Sequence, residues 1–245
     1  MNIGFLNEFN IMEKIHNKRI SELDMFWRKN MSLLFDNPNE DDYVKCRLVG
    51  GNCKTDFEVI LNNTKRNLSV KYGESISLHT EHIDSFCEFL KIIGVSEETI
   101  TTIRLYHFGD GTINGTGELR RNAKELQTIL KNEIKKANKE LNDEKVLKKI
   151  IYRSILKGRS PYHEEIDYLY YGNTKEGILI SKEKLINCII SIPCHYLECI
   201  HFGPLVYQPS NRYLYSKTKE DYKRYYSQIK WQSINNDLNS FVNKT

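Results

Sequence analysis

The chain has 245 residues and a mass of 28.9 kDa, enough for one large or two small domains around a sizeable core. Its 40% hydrophobic and 28% charged residues exclude a disordered or fibrous chain, and a formal charge of +4 permits a nucleic-acid partner without demanding one. No stretch approaches the ~20 apolar residues of a membrane span, and the opening MNIGFLNEFN lacks the basic-then-apolar pattern of a secretory signal, so a cytoplasmic protein without a membrane partner is expected.

Residues 5–35 carry Leu6, Phe9, Ile15, Ile20, Leu23, Phe26, Trp27, Met31 and Leu34 at helical spacing, which predicts one long helical segment ended by Asp36-Asn37-Pro38-Asn39. Tyr43–Val49 reads as a short strand. Two further strands follow a Gly50-Gly51 pair, Thr55–Leu61 and Asn67–Tyr72, joined by the polar turn Asn62–Arg66. Side chains alternate along a strand, so Phe57, Val59 and Leu61 share one face while Asp56 and Glu58 share the other. In the second strand Leu68, Val70 and Tyr72 oppose Ser69 and Lys71. Burying the apolar faces gathers two carboxylates and an ammonium on the remaining side, a set suited to a divalent cation. The bland alternative is a surface hairpin with solvated charges.

Leu78–Ile93 is expected to be a helix with Ile83, Phe86, Leu90 and Ile93 towards the core, and Ser96–Leu105 another. Ser77, His79 and Glu81 at the start of the first suit either capping of a helix end or contact with an anionic ligand. The loop His107–Gly117 holds four glycines and allows close approach to another surface. Glu118-Leu119 follow its last glycine, which excludes a Walker phosphate loop, and no strand–loop–helix context supports a dinucleotide fold.

Residues 118–157 read as two helices rich in Lys and Arg with interleaved acids, much of it a solvated face and some of it fit to lie along phosphates. Residues 166–172 and 177–180 form a hairpin, and a helix opens at Ser181. Cys188, Cys194, His195, Cys199 and His201 follow at a spacing that matches no common zinc site, and apolar neighbours favour buried thiols. With no CxxC pair, the 6 cysteines are expected to be reduced. The chain ends on two strands, Leu205–Gln208 and Gln228–Ser233, joined by a basic, aromatic excursion.

Asp56 at the start of one strand and Ser69-Val70-Lys71 on the next resemble the core of the PD-(D/E)XK nucleases, best known from type II restriction endonucleases. In that pattern an Asp opens one strand and acid-x-Lys follows on the next; here Thr55 stands in place of the usual Pro and Ser69 in place of the usual second acid. The resemblance covers roughly residues 5–105 and, more loosely, the C-terminus. It implies an α/β fold with a restriction-endonuclease-like core, a mixed β-sheet flanked by helices, and a helical insertion. A single nuclease domain, 1–245, is expected: core elements in 1–105, the Gly-rich loop and basic insertion in 106–160, and a DNA-recognition region in 161–245.

The activity so implied is Mg²⁺-dependent hydrolysis of double-stranded DNA at a short specific sequence, leaving 5′-phosphate ends. Asp56 and the Val70 carbonyl would bind Mg²⁺, Lys71 would position the attacking water, and Ser69 would occupy the second-acid position. Nucleases of this type carry a helix before the hairpin from which a Glu reaches the metal. Glu22 is the first choice for it and Glu13 the second, with Glu58 as the rival acid. His79 would touch a phosphate, and Glu81 would orient the water or Lys71. Gln208, Asn211, Arg212, Lys230 and Gln232 are the expected DNA contacts of the C-terminal strand pair, because Gln, Asn and Arg make paired hydrogen bonds to base edges. A cognate DNA methyltransferase is the expected genetic partner, and symmetric cutting of a palindrome would favour a homodimer. The rival readings are a structure-specific or repair nuclease on the same core and a non-catalytic nucleic-acid-binding protein.

Overall fold

The computed structural model describes residues 3–74, 76–117, 120–194, 198–210 and 222–244. The chain divides into two compact units that interleave along the sequence: Met1–Ile76, Ile155–Cys188 and Ile234–Thr245 form the first, Ser77–Ser154 and Ile189–Ser233 the second.

In the first unit the single N-terminal helix is interrupted. Helix α1 (Ile3–Ile15) ends before Asn17, which takes the left-handed φ of 54°. Strand β1 (Lys18–Arg19) and a 3-10 turn (Ile20–Glu22) intervene before α2 (Met25–Phe35). The Asp24 side chain accepts the Trp27 N–H at 3.0 Å and so caps α2. Strands β2 (Tyr43–Leu48), β3 (Phe57–Leu61) and β4 (Thr64–Lys71) then run antiparallel. Asn62 and Asn63, with φ of 47° and 66°, make a two-residue loop whose twist matches the strands. The turn is therefore shorter than expected, and Thr64–Arg66 join the ladder.

The chain leaves through β5 (Ile76–His82), which leads into the second unit, and returns as β6 (Tyr168–Gly172) and β7 (Gly177–Ser181). The sheet order is β1-β2-β3-β4-β6-β7, with β6 parallel to β4 and the other pairs antiparallel. Phe57, Val59, Leu61, Leu68 and Val70 bury their face against Ile11, Ile15, Trp27, Met31 and Leu34. Each such side chain contributes about 1.5–3 kcal/mol on burial. Asn7 fixes α1 by donating to the Gly172 carbonyl at 2.9 Å.

In the second unit, β5 occupies the first part of the helix expected over Leu78–Ile93. The alternation Leu78, His79, Thr80, Glu81 is a strand pattern, and α3 (Ile83–Ile92) begins only after His82 caps it. Helix α4 (Glu97–Phe108) starts at the Ser96 cap, as expected. Three helices replace the expected two: α5 (Ala123–Ile129), α6 (Lys131–Leu141) and α7 (Glu144–Ile151). Leu130 at φ −103° separates α5 from α6, and the Asp143 side chain caps α7. Helix α8 (Lys182–Ser191) begins in the first unit and precedes β8 (His201–Phe202), β9 (Leu205–Pro209) and β10 (Tyr226–Trp231) of the second, and α9 (Ile234–Val242), again part of the first unit, closes the chain. The second sheet has the order β5-β10-β9-β8.

Phe86 packs against Phe202 and Tyr207 with ring centroids 5.9 and 5.7 Å apart. His107 is buried beside them. Its Nε2–H donates to the Arg224 carbonyl at 2.9 Å, so its neutral ring accepts at Nδ1 from the Tyr207 hydroxyl at 2.7 Å. Burial pushes its pKa down to about 3. The glycine-rich loop folds around Asp110, which accepts from the Thr112 and Gly117 N–H groups and pairs with Arg224 at 2.8 Å. Among the described residues no helix is long and apolar enough to cross a membrane.

Candidate active site

Asp56 continues the β3 ladder by one residue, its N–H donating to the Leu68 carbonyl at 2.9 Å. Its side chain therefore lies on the same face as Ser69 and Lys71. One oxygen, Oδ2, accepts three donors: the Val70 N–H at 2.6 Å, the Ser69 hydroxyl at 3.2 Å and the Lys71 ammonium at 3.2 Å. Lys71 Nζ donates also to the Val70 carbonyl at 2.8 Å, which fixes the ammonium between the two oxygens. Asp56 and Lys71 side chains are each 19% exposed, so the pair is shielded yet reachable. Beyond Lys71 the Tyr171 hydroxyl holds the Gly73 carbonyl at 3.0 Å and pins the end of β4.

A second carboxyl belongs to this group, and the sequence reading missed it. Glu8 of α1 is half-buried, and its pKa is pushed up to about 7, first by burial and then by the negative Asp56, with Lys71 opposing. It lies three and seven residues before the buried Ile11 and Ile15, on the inward face of its helix. A charged residue on an apolar stripe was the available signal.

Two of the acids chosen from the sequence are engaged elsewhere. Glu58 is 5% exposed and bound by Arg47 at 2.6 Å and Lys65 at 3.1 Å, whose hydrogen bonds hold its carboxyl below the usual range. Glu22 accepts the Arg19 N–H at 2.8 Å, closing the 3-10 turn. Glu13 is exposed on α1.

Of the expected DNA contacts, His79 and Glu81 lie in the second unit as a buried cluster. Glu81 is 1% exposed and accepts His79 Nε2–H at 2.8 Å and Arg153 at 3.1 and 2.7 Å. Burial pushes Glu81 up, but these donors outweigh it and hold the carboxyl below its ordinary value. Gln208 and Gln232 line one cavity of about 350 Å³ with Arg120, Arg121 and Asn122. Lys230 is half-buried on β10, opposite Val206. Asn211 and Arg212 lie outside the described residues.

The architecture is a mixed α/β sheet flanked by helices, and it is the restriction-endonuclease fold. A solved structure that shows it is the restriction endonuclease MspI in complex with its cognate DNA. This chain is similar to it at 17% identity over 93% of its own length and 88% of that chain, with a TM-score of 0.50. No family model matches the sequence, and neither does any curated protein.

Proposed function

We propose that the chain is a type II restriction endonuclease, hydrolysing duplex DNA at a short specific sequence with Mg²⁺ and leaving 5′-phosphate ends. One observation carries this reading: the Asp56 carboxylate set against the Val70 N–H and Lys71 ammonium on a sheet of restriction-endonuclease fold. A host carrying such an enzyme needs its own DNA protected, so a methyltransferase of the same specificity is the expected genetic partner. Gln208 and Gln232, with Arg121 beside them, are the side chains of the second unit best suited to base edges.

The donor set suits a hard cation. Asp56 Oδ1 accepts no hydrogen bond among the described residues, and the Val70 carbonyl and Glu8 carboxyl are further oxygen donors. The raised proton affinity of Glu8 marks a carboxyl pair short of positive charge. Among the described residues no group of three or more His, Cys, Asp or Glu is arranged to hold a metal. Two carboxyls, a carbonyl and water therefore make up the set, which Mg²⁺ accepts because it retains several waters. Bound there, Mg²⁺ would supply Lewis acidity towards the phosphoryl oxygens.

The chain's own part falls mainly to Lys71. Two of its three N–H donors are spent on Asp56 and Val70. The third is available to orient the attacking water and to stabilise the negative charge that develops on phosphorus oxygens. Attack with loss of the 3′ oxygen leaves the phosphate on the 5′ end. Ser69 donates its hydroxyl to Asp56 and holds the carboxylate in orientation.

The test is incubation of purified protein with unmethylated phage DNA, with Mg²⁺ or with EDTA, read on a gel. Discrete bands with Mg²⁺ alone support the reading. A Mg²⁺-dependent smear replaces it with a non-specific or structure-specific nuclease. Absence of cutting with either Mg²⁺ or Mn²⁺ overturns the nuclease reading altogether.

A further inference from the structure

Helix α6 carries its charges in rows that meet different surroundings. On one side Lys136 pairs with Glu98 at 3.1 Å, and Glu140 accepts the Ser96 N–H and hydroxyl at 2.8 and 2.6 Å. Those charges fasten α6 to the start of α4. On another row Lys131, Lys135 and Lys139 recur every fourth residue, so they stack along one line of the helix. All three are exposed and enter no ion pair among the described residues, and the same holds for Lys124 on α5.

These lysines line one wall of a groove of about 1020 Å³, faced by Ile190, Ile192 and Pro193. The acids on its walls are Glu144 and Glu198, and Glu144 is already bound by Lys148 at 2.6 Å. A merely solvated face would intersperse acids among the cations. Here α6 spends its neutralising contacts on its other side, and the groove keeps the excess of positive charge. The row Lys131–Lys139 spans about 12 Å of helix, a length over which duplex DNA presents about seven phosphate charges.

We infer that this groove is a phosphate-backbone site whose occupant is duplex DNA, held by Lys124, Lys131, Lys135 and Lys139 without reading sequence. The inference rests on the DNA-hydrolase reading above, and it gives the basic insertion a role in affinity rather than specificity.

The experiment measures binding of a fluorescent duplex by the full chain, in the Lys71→Ala background with Mg²⁺, across a range of salt. Each phosphate contact contributes about 0.9 to the slope of log affinity against log salt. The triple change Lys131→Gln, Lys135→Gln and Lys139→Gln is expected to lower the slope by about 2.7. A control with the same change of net charge, Lys14→Gln, Lys91→Gln and Lys136→Gln, removes lysines already paired with Asp24, Glu97 and Glu98, none of which lines the groove. It is expected to leave the slope near that of the background. If the groove triple fails to fold, the single changes carry the test, each lowering the slope by about 0.9. Equal slopes for groove and control variants overturn the inference and leave the nuclease reading standing. A Lys71→Ala background that does not bind DNA at all overturns the nuclease reading and this inference with it.

Discussion

Glu8→Gln is expected to make the protein more stable and its cleavage slower, and the first effect is expected to depend on pH. The folded-state pKa of Glu8 is pushed up to about 7 from 4.5, by burial first and by Asp56 second. Below pH 4.5 the carboxyl is protonated in both folded and unfolded chains. As pH rises from there to 7 the unfolded chain releases a proton that the folded chain keeps, so stability falls. Above pH 7 the full cost is present. That rise corresponds to at most about 3.4 kcal/mol, and the partial exposure of Glu8 reduces this to about 1–2 kcal/mol. Gln has nearly the same shape and no charge to desolvate. In EDTA, urea unfolding at pH 8 should therefore show Glu8→Gln more stable by about 1–2 kcal/mol, or by about 2–8 °C in Tm. At pH 4.5 the two proteins should be nearly equal. Mg²⁺ should narrow the gap at pH 8, because a ligand that binds only the folded wild type stabilises it. The same offset at both pH values, or a loss of stability at pH 8, would refute the reasoning that Glu8 faces Asp56 as an uncompensated carboxyl.

Asp56→Ala and Lys71→Ala are each expected to lower cleavage by at least about 10²–10³-fold while DNA binding, followed by anisotropy, stays near wild type; loss of both together would indicate misfolding instead. Glu81→Gln leaves His79 and Arg153 facing a neutral group at a site 1% exposed, so urea unfolding should show a loss of about 3–5 kcal/mol. His107, with its pKa pushed down to about 3, contributes stability that is whole above its unfolded value of 6.5 and is lost as pH falls towards 3. Unfolding between pH 6.5 and 4 should show wild type losing up to about 1.4 kcal/mol per pH unit through this group. His107→Phe, less stable at pH 7 because Tyr207 and the Arg224 carbonyl lose their partner, should have the shallower slope, and an unchanged slope would rule out a neutral buried His107.

What was legible in the sequence was local. The hairpin that carries Asp56, Ser69 and Lys71 follows from a two-residue alternation within a short window, and the β3–β4 register places all three on one face. The interruption of the N-terminal helix was legible too, because Asp24 ahead of Met25-Phe26-Trp27 is a helix cap within an apolar spacing that runs straight through it. The β5 strand was harder. Its alternation competes with the helical spacing of Ile83, Phe86 and Leu90, and what decides is pairing with β10, which no local window contains.

The second carboxyl fails to show for the same physical reason. Glu8, Glu13 and Glu22 all sit in stretches of helical spacing, and nothing in that spacing says which carboxyl meets the hairpin. The choice is made by the tie of Asn7 to the Gly172 carbonyl, across most of the first unit, and by the turn at Asn17 that ends α1. Glu22, beyond that turn, spends its carboxylate on Arg19. The site thus combines a rigid part, set by two adjacent strands, with a carboxyl delivered by a helix whose placement depends on distant residues. The charge mismatch between them, visible in the raised pKa of Glu8, is what a cation would relieve. Stability in EDTA and affinity for Mg²⁺ should therefore change in opposite directions when Glu8 is neutralised, a coupling that a purely structural role for Glu8 does not produce.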